Sequence, residues 1–165
     1  MKRINKSPVA ALILLVVASL IASTFPFIMS VISSSDFFYG AAQYHLRLSR
    51  YNPLDSFARA DPLSTEKLNY TPYHALIFVS SKFLPSLLSF LLVGVILGVT
   101  CILIYYALLL RLGLEVSRAF VACIITLFTP AFMHLFGTPN PDGLAIVAVL
   151  AAILIYINTR NLMGG

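Results

Sequence analysis

The chain has 165 residues, of which 59% are hydrophobic and 10% charged. A soluble domain carries about 25% charged residues to wet its surface, so this composition excludes a water-soluble globule and requires that most of the surface face lipid. The net charge of +5 comes from eleven basic residues that are scattered rather than striped, which argues against a nucleic-acid partner and for membrane topology.

Val9 to Ile32 contains no charged residue and follows Lys2, Arg3 and Lys6. At 1.5 Å per residue it forms about 36 Å of helix, enough to cross a bilayer core with some tilt. A basic segment before an apolar run also describes a secretory signal peptide. The length of the run, and the poor cleavage sequences Ala18-Ser19-Leu20 and Ala22-Ser23-Thr24, favour an uncleaved signal anchor over a cleaved signal. Pro26 is expected to bend this helix near its distal end.

Residues 33–86 form the longest connection. Ser33 followed three residues later by Asp36 resembles a capping box. Phe37 to Arg50 then reads as an amphipathic helix lying on the membrane, with Asp36, Gly40, Gln43, Arg47 and Arg50 along one side. Asn52-Pro53 ends it. Pro53, Pro62 and Pro72 make residues 52–72 irregular, and Tyr73 to Phe83 is apolar but too short to span, as in a second surface helix.

Three further spans follow. Leu87 to Leu110 is free of charge and holds Gly94-Val95-Ile96-Leu97-Gly98, a GxxxG pattern that lets helices approach closely in lipid. Ala119 to Phe136 is the third span, with a kink expected at Pro130. Leu144 to Ile157 reaches crossing length if Asn158, Thr159 and Arg160 snorkel at the interface, giving a fourth span of 144–160. The predicted fold class is therefore an all-α membrane protein of about four transmembrane helices, in a single membrane domain over residues 1–165.

Lys2, Arg3, Lys6, Arg111, Arg118 and Arg160 occupy the ends and the short loop of one side, which the positive-inside rule makes cytoplasmic. Five of the six acidic residues (Asp36, Asp55, Asp61, Glu66 and Asp142) then fall outside, with Glu115 inside. Any chemistry belongs to the non-cytoplasmic face.

Asp36 stands one step beyond a span, between lipid and water. Partial desolvation there raises a carboxylate toward the range of a general base, while an acidic residue at a helix start is also explained by the helix dipole. Asp142 lies in Asn140-Pro141-Asp142-Gly143, an ordinary turn preceding a helix. His45, His74 and His134 fall near the outer face, but no pair has zinc-ligand spacing, so no metal site is predicted. Cys101 and Cys123 lie inside apolar runs and read as buried thiols. Asn69-Tyr70-Thr71 is a glycosylation sequon with an unfavourable Pro72 after it.

Ser35-Asp36-Phe37, Tyr39, Ala41-Ala42 and Tyr51-Asn52-Pro53-Leu54, in that order, resemble the start of the GT-C class of membrane glycosyltransferases, in its branch using polyprenyl-phosphate-mannose donors. Asn69-Tyr70-Thr71-Pro72-Tyr73-His74-Ala75-Leu76 is similar to the Tyr-Pro-Pro-Leu stretch of that class. Gly137-Thr138-Pro139-Asn140-Pro141-Asp142-Gly143-Leu144 resembles its external Gly-Asn-Pro-Asp segment. The resemblance covers roughly residues 9–158. It implies an external first loop with two juxtamembrane helices, Asp36 as catalytic base, and an inverting transfer from a lipid-linked sugar without a cofactor.

His74, Arg47 and Asp142 are the candidate substrate-binding residues; headgroup contact is the simpler role for Arg47 and Arg50. Two departures stand out. Phe37 and Phe38 follow Asp36 where many members have a second acidic residue, and class members have many more helices than four. The chain then corresponds to the N-terminal part of such an enzyme, with a second chain or segment supplying the rest. The competing reading is a non-catalytic four-helix membrane subunit. A small transporter fits poorly, because the spans hold no ionisable residue except His134.

Overall fold

A computed structural model describes residues 8–32, 71–138 and 140–163, with Tyr44, Leu48 and Arg50 as isolated positions. The described residues are 86% helix and hold no strand. Six helices follow in order: α1 (Pro8–Ile32), α2 (Pro72–Ser80), α3 (Ser86–Arg111), α4 (Val116–Leu127), α5 (Pro130–Gly137) and α6 (Asp142–Met163). The amphipathic helix expected over residues 37–50 and the loop to residue 70 lie outside the described residues.

α1, α3 and α6 are each long and apolar enough to cross a membrane, and α4 with α5 makes a fourth span if the bent pair crosses as one. The protein is thus a multi-pass membrane protein. α1 and α3 match the spans read from the sequence to within one residue at each end. α1 continues unbroken through Pro26, since the ring costs one backbone bond that a tightly packed membrane helix tolerates.

The third span is bent where a kink is expected, and the kink is a full break: the chain turns by 68° between Leu127 and Pro130, leaving two short helices. The cause is local. Pro130 has no N–H to continue the ladder, and Thr129 adopts an extended conformation and caps the new helix, its Oγ1 accepting from the Phe132 amide at 3.2 Å. The same hydroxyl donates to the Thr126 carbonyl at 2.8 Å, so both sides of the break are satisfied.

The core runs through Leu15, Ala22, Ile77, Phe90, Leu97, Ile102, Ala119, Leu127 and Phe136. α1 packs along α3 and against α4 and α5, and α6 packs along α3. α1 and α3 are antiparallel: Ser23 lies against Gly98, and Phe27 shares a cleft with Leu87, Phe90 and Leu91. Val9, Ile13, Ile21, Phe25, Val149, Ile155 and Tyr156 are left exposed to lipid. Inside the bundle, hydrophobic burial gives no preference over lipid, and close packing holds helices together instead.

The GxxxG pattern supplies that packing. A side chain at Gly94 would collide with the Phe136 carbonyl, and one at Gly98 with the Ser23 hydroxyl and, at 3.2 Å, with Phe136 Cβ. Gly137 in turn accepts the Pro26 ring, whose Cγ lies 2.5 Å from where a Cβ would stand. α1, α3 and α5 therefore converge around Phe136, whose ring also lies tilted against Phe132, centroids 4.7 Å apart.

Candidate functional site

Two of the segments singled out in the sequence meet at the end of the bundle where α3 begins. The first is the start of α2. Thr71 is extended and Pro72 occupies the first helical position, where its missing N–H costs nothing. His74, three residues after the cap, turns its ring back: the Thr71 backbone N–H donates to His74 Nδ1 at 3.0 Å. The Thr71 hydroxyl approaches the same nitrogen at 2.9 Å. His74 thus fills the role that Glu or Gln takes in a capping box. A nitrogen that accepts an amide N–H carries no proton, so this geometry requires the neutral ring with hydrogen on Nε2. The side chain is fully buried.

Tyr73 is 1% exposed; its ring meets that of His74 edge-on at 5.8 Å and lies tilted against Phe90, centroids 6.3 Å apart. Its hydroxyl approaches the Asn140 backbone amide but completes no hydrogen bond among the described residues. Burial pushes the Tyr73 phenol far above its ordinary value, and the Asn140 amide offsets this only in part.

The second segment joins α5 to α6. Thr138 Oγ1 donates to the His134 carbonyl at 2.6 Å, closing the last turn of α5. Asn140 Oδ1 accepts from the Asp142 amide at 2.9 Å, an Asx turn that starts α6. Asp142 is exposed in the first turn of that helix, where its charge complements the dipole. Gly143 fits against Phe136, with Cε1 3.0 Å from a would-be Cβ.

Beside the second segment lies a shallow recess with room for about one water molecule, lined by Phe27, Leu87, Phe90, Leu91, Phe136, Gly137 and Thr138. It is apolar except for Thr138. The structure therefore brings the segments of His74 and Asp142 to one end of the bundle, with Tyr73 against Phe90 and Phe90 lining the recess with Phe136, Gly137 and Thr138. Asp36 and Arg47 lie outside the described residues. Arg50 is exposed, and His134 lies exposed on α5, apart from His74's capping contact. Among the described residues no three His, Cys, Asp or Glu side chains gather as metal ligands. Cys101 and Cys123 are free, buried thiols.

Sequence reasoning quoted Tyr73 only as part of a motif and passed over Ser19 and Ser23. Both serines are fully buried, one helical turn apart on α1, and neither hydroxyl has a hydrogen-bond partner among the described residues. Their spacing was visible, but only the packing of α3 and α5 shows that this face of α1 is the inner one.

No family model matches the chain, no curated protein is similar to it, and no solved structure matches it.

Proposed function

We propose that the chain forms part of a membrane glycosyltransferase. It would transfer mannose or another hexose from a polyprenyl-phosphate donor to an acceptor on the non-cytoplasmic face. Further helices would come from a second chain or segment, in the plasma membrane of a prokaryote or the endoplasmic reticulum of a eukaryote. The observation that carries this reading is the meeting of the Thr71–Leu76 and Gly137–Leu144 segments. They are distant in sequence, both resemble GT-C motifs, and they come to one end of the bundle, where Tyr73 meets Phe90 and Phe90 shares an apolar recess with Phe136, Gly137 and Thr138. A lipid-linked donor suits such a place, because its chain stays in lipid while its head reaches water.

In this mechanism Asp36 removes the proton of the acceptor hydroxyl as its oxygen attacks the anomeric carbon. The phosphate leaves with the electron pair of the C–O bond, and the configuration inverts. Arg47 is the candidate partner of the donor phosphate, since a guanidinium can pair with two oxygens. Asp142 accepts hydrogen bonds from sugar hydroxyls, and His74 keeps the start of α2 in place.

The second reading, a non-catalytic membrane subunit, is favoured by one observation. His74 Nδ1 is committed to the Thr71 cap, which is a structural use.

Asp36→Asn decides between them. The substitution keeps shape and helix-start preference. The enzyme reading expects a loss of about 10²-fold or more in sugar transfer from a polyprenyl-phosphate donor, the loss typical of removing an acid–base group, with abundance in the membrane unchanged. Near-normal transfer removes Asp36 from the mechanism. Asp142→Asn should cost less.

A further inference from the structure

α2 is nine residues long, too short to span a membrane, and carries no Lys, Arg, Asp or Glu. One side of it, Tyr73, His74 and Ile77, is buried, and the helix packs on α3. The other side is not polar, as a helix facing water would be. Leu76 and Val79, one turn apart, are exposed, and the turn that follows carries Phe83 at 83% exposure. Leu87 and Leu88 continue the bare surface into the first turn of α3. A run of exposed apolar side chains of this kind marks a surface that meets something other than water.

The hairpin between α2 and α3 asks little of water. The amides of Ser81, Lys82, Phe83 and Leu84 all donate to carbonyls of Ile77, Val79 and Ser80, and Pro85 has no N–H to satisfy. The Ser80 hydroxyl donates to the Ile77 carbonyl at 3.0 Å and the Ser81 hydroxyl to the Phe78 carbonyl at 2.8 Å. The Ser89 hydroxyl lies 3.3 Å from the carbonyls of both Leu84 and Pro85. A turn in water can leave such groups to the solvent, whereas a turn against lipid must satisfy them internally.

One charge interrupts this surface. Lys82 is the only Lys, Arg, Asp or Glu between Pro72 and Leu110. It is exposed, and no carboxylate pairs with it among the described residues. Its Nζ lies 4.4 Å over the Phe78 ring, so the stem follows the apolar surface while the ammonium keeps donors for an outside partner.

We propose that the α2–α3 hairpin is an interfacial anchor: Leu76, Val79, Phe83 and Leu88 lie among the acyl chains of the surrounding leaflet, and the Lys82 ammonium binds the phosphate of an anionic phospholipid beside them. Two observations favour phospholipid over a protein partner. The bare surface runs on from Leu88 to Leu92 and Ile96, each one turn further along α3, a span whose exposed face meets lipid in any case. A single cation at the edge of an apolar surface also matches a phosphate set above acyl chains. α2 is then a wedge, with one side on α3 and the other in the leaflet, and it ties the Thr71–His74 cap to the membrane. The anchor stands whether or not the chain transfers sugar, and its test involves no sugar.

The chain has no Trp, so Phe83→Trp puts a single selective fluorophore on the hairpin, and Val79→Trp serves as a second reporter on the same surface. Each full-length variant is placed in phosphatidylcholine vesicles. Emission should be blue-shifted from that of a free tryptophan amide. Lipid brominated near the glycerol end of its acyl chains should quench it at least about twofold, and more than lipid brominated near the methyl ends. Acrylamide should quench it at least about threefold less than it quenches the free amide. Replacing part of the lipid by phosphatidylglycerol should lower acrylamide quenching further, and Lys82→Gln should remove that response. Water-like emission that neither brominated lipid quenches overturns the anchor. Blue-shifted emission that neither quenches also overturns it, because protein then covers the surface. An equal response to phosphatidylglycerol with and without Lys82 overturns the phosphate assignment.

Discussion

The backbone carbonyl of Phe136, at the end of the short helix α5, rests directly against Gly94 of α3, with no room for a side chain between them. A carbonyl in the last turn of a helix has no partner within that helix, and the glycine Cα–H is the group that meets it. The contact sets the depth of α5 and thereby of everything that follows it.

Gly94 and Gly98 should consequently differ in tolerance. Alanine at position 94 meets backbone, which moves only if α5 moves, and overpacking of this kind costs about 1–3 kcal/mol. Alanine at position 98 meets first the Ser23 hydroxyl, which rotates, so its cost should be smaller and should fall further in a Ser23→Ala background. Unfolding in mixed detergent micelles reads both. Equal effects of the two alanines would show that Phe136 does not lie where it is placed here.

His74 is predicted to act on stability through the cap of α2. His74→Ala should destabilise the protein by about 1 kcal/mol, the usual value of a lost capping interaction. His74→Gln should recover much of that loss, because Gln at this position returns a hydrogen bond to the cap amide. Hydrogen exchange at the Thr71 amide reports the bond itself. Faster exchange in the Ala variant alone is the expected pattern, and identical exchange in all three proteins would contradict it.

Tyr73 gives a pH signature. Its phenol stays protonated in the folded state well above its ordinary value because it is buried. In the unfolded chain it ionises near pH 10. The unfolded state therefore binds fewer protons above about pH 10, and stability falls as pH rises from there toward the higher folded value, by at most about 1.4 kcal/mol per unit from this one group. Tyr73→Phe should lose stability less steeply over that range, with little difference from the parent at pH 8. Parallel curves for the two proteins at pH 8–11 would show that the phenol is not buried.

Orientation across the membrane is predicted from the basic residues of the short segments. A cysteine at Ser117, exposed at the start of α4, should be protected from an impermeant reagent added outside, and one at Ser56 should be modified. The reverse result would turn the chain over and put the Tyr73–Asn140 contact on the cytoplasmic side.

The membrane class and the two longest spans were legible because each follows from a one-dimensional quantity, the length of a charge-free run against the thickness of a bilayer. α1 and α3 accordingly lie where the composition puts them. The glycines of α3 were legible as a packing motif, but not their partner. Gly94 and Gly98 receive Phe136 and Ser23, residues from two other helices, and no spacing within one helix encodes that. The break at Leu127–Pro130 was only half legible. Proline announces a kink, but its angle depends on the Thr129 cap and on the space Gly94, Gly98 and Gly137 leave for α5. The same holds for the candidate site. Asn140 and Asp142 are legible from turn chemistry, which is local, whereas Thr71 and His74 are named only through the resemblance and the sequon, and the cap they form is not legible. That the start of α2 and the α5–α6 join come to the same end of the bundle was decided by tertiary packing, because both meet at Phe90 and the place of α5 is set by where Phe136 comes to rest.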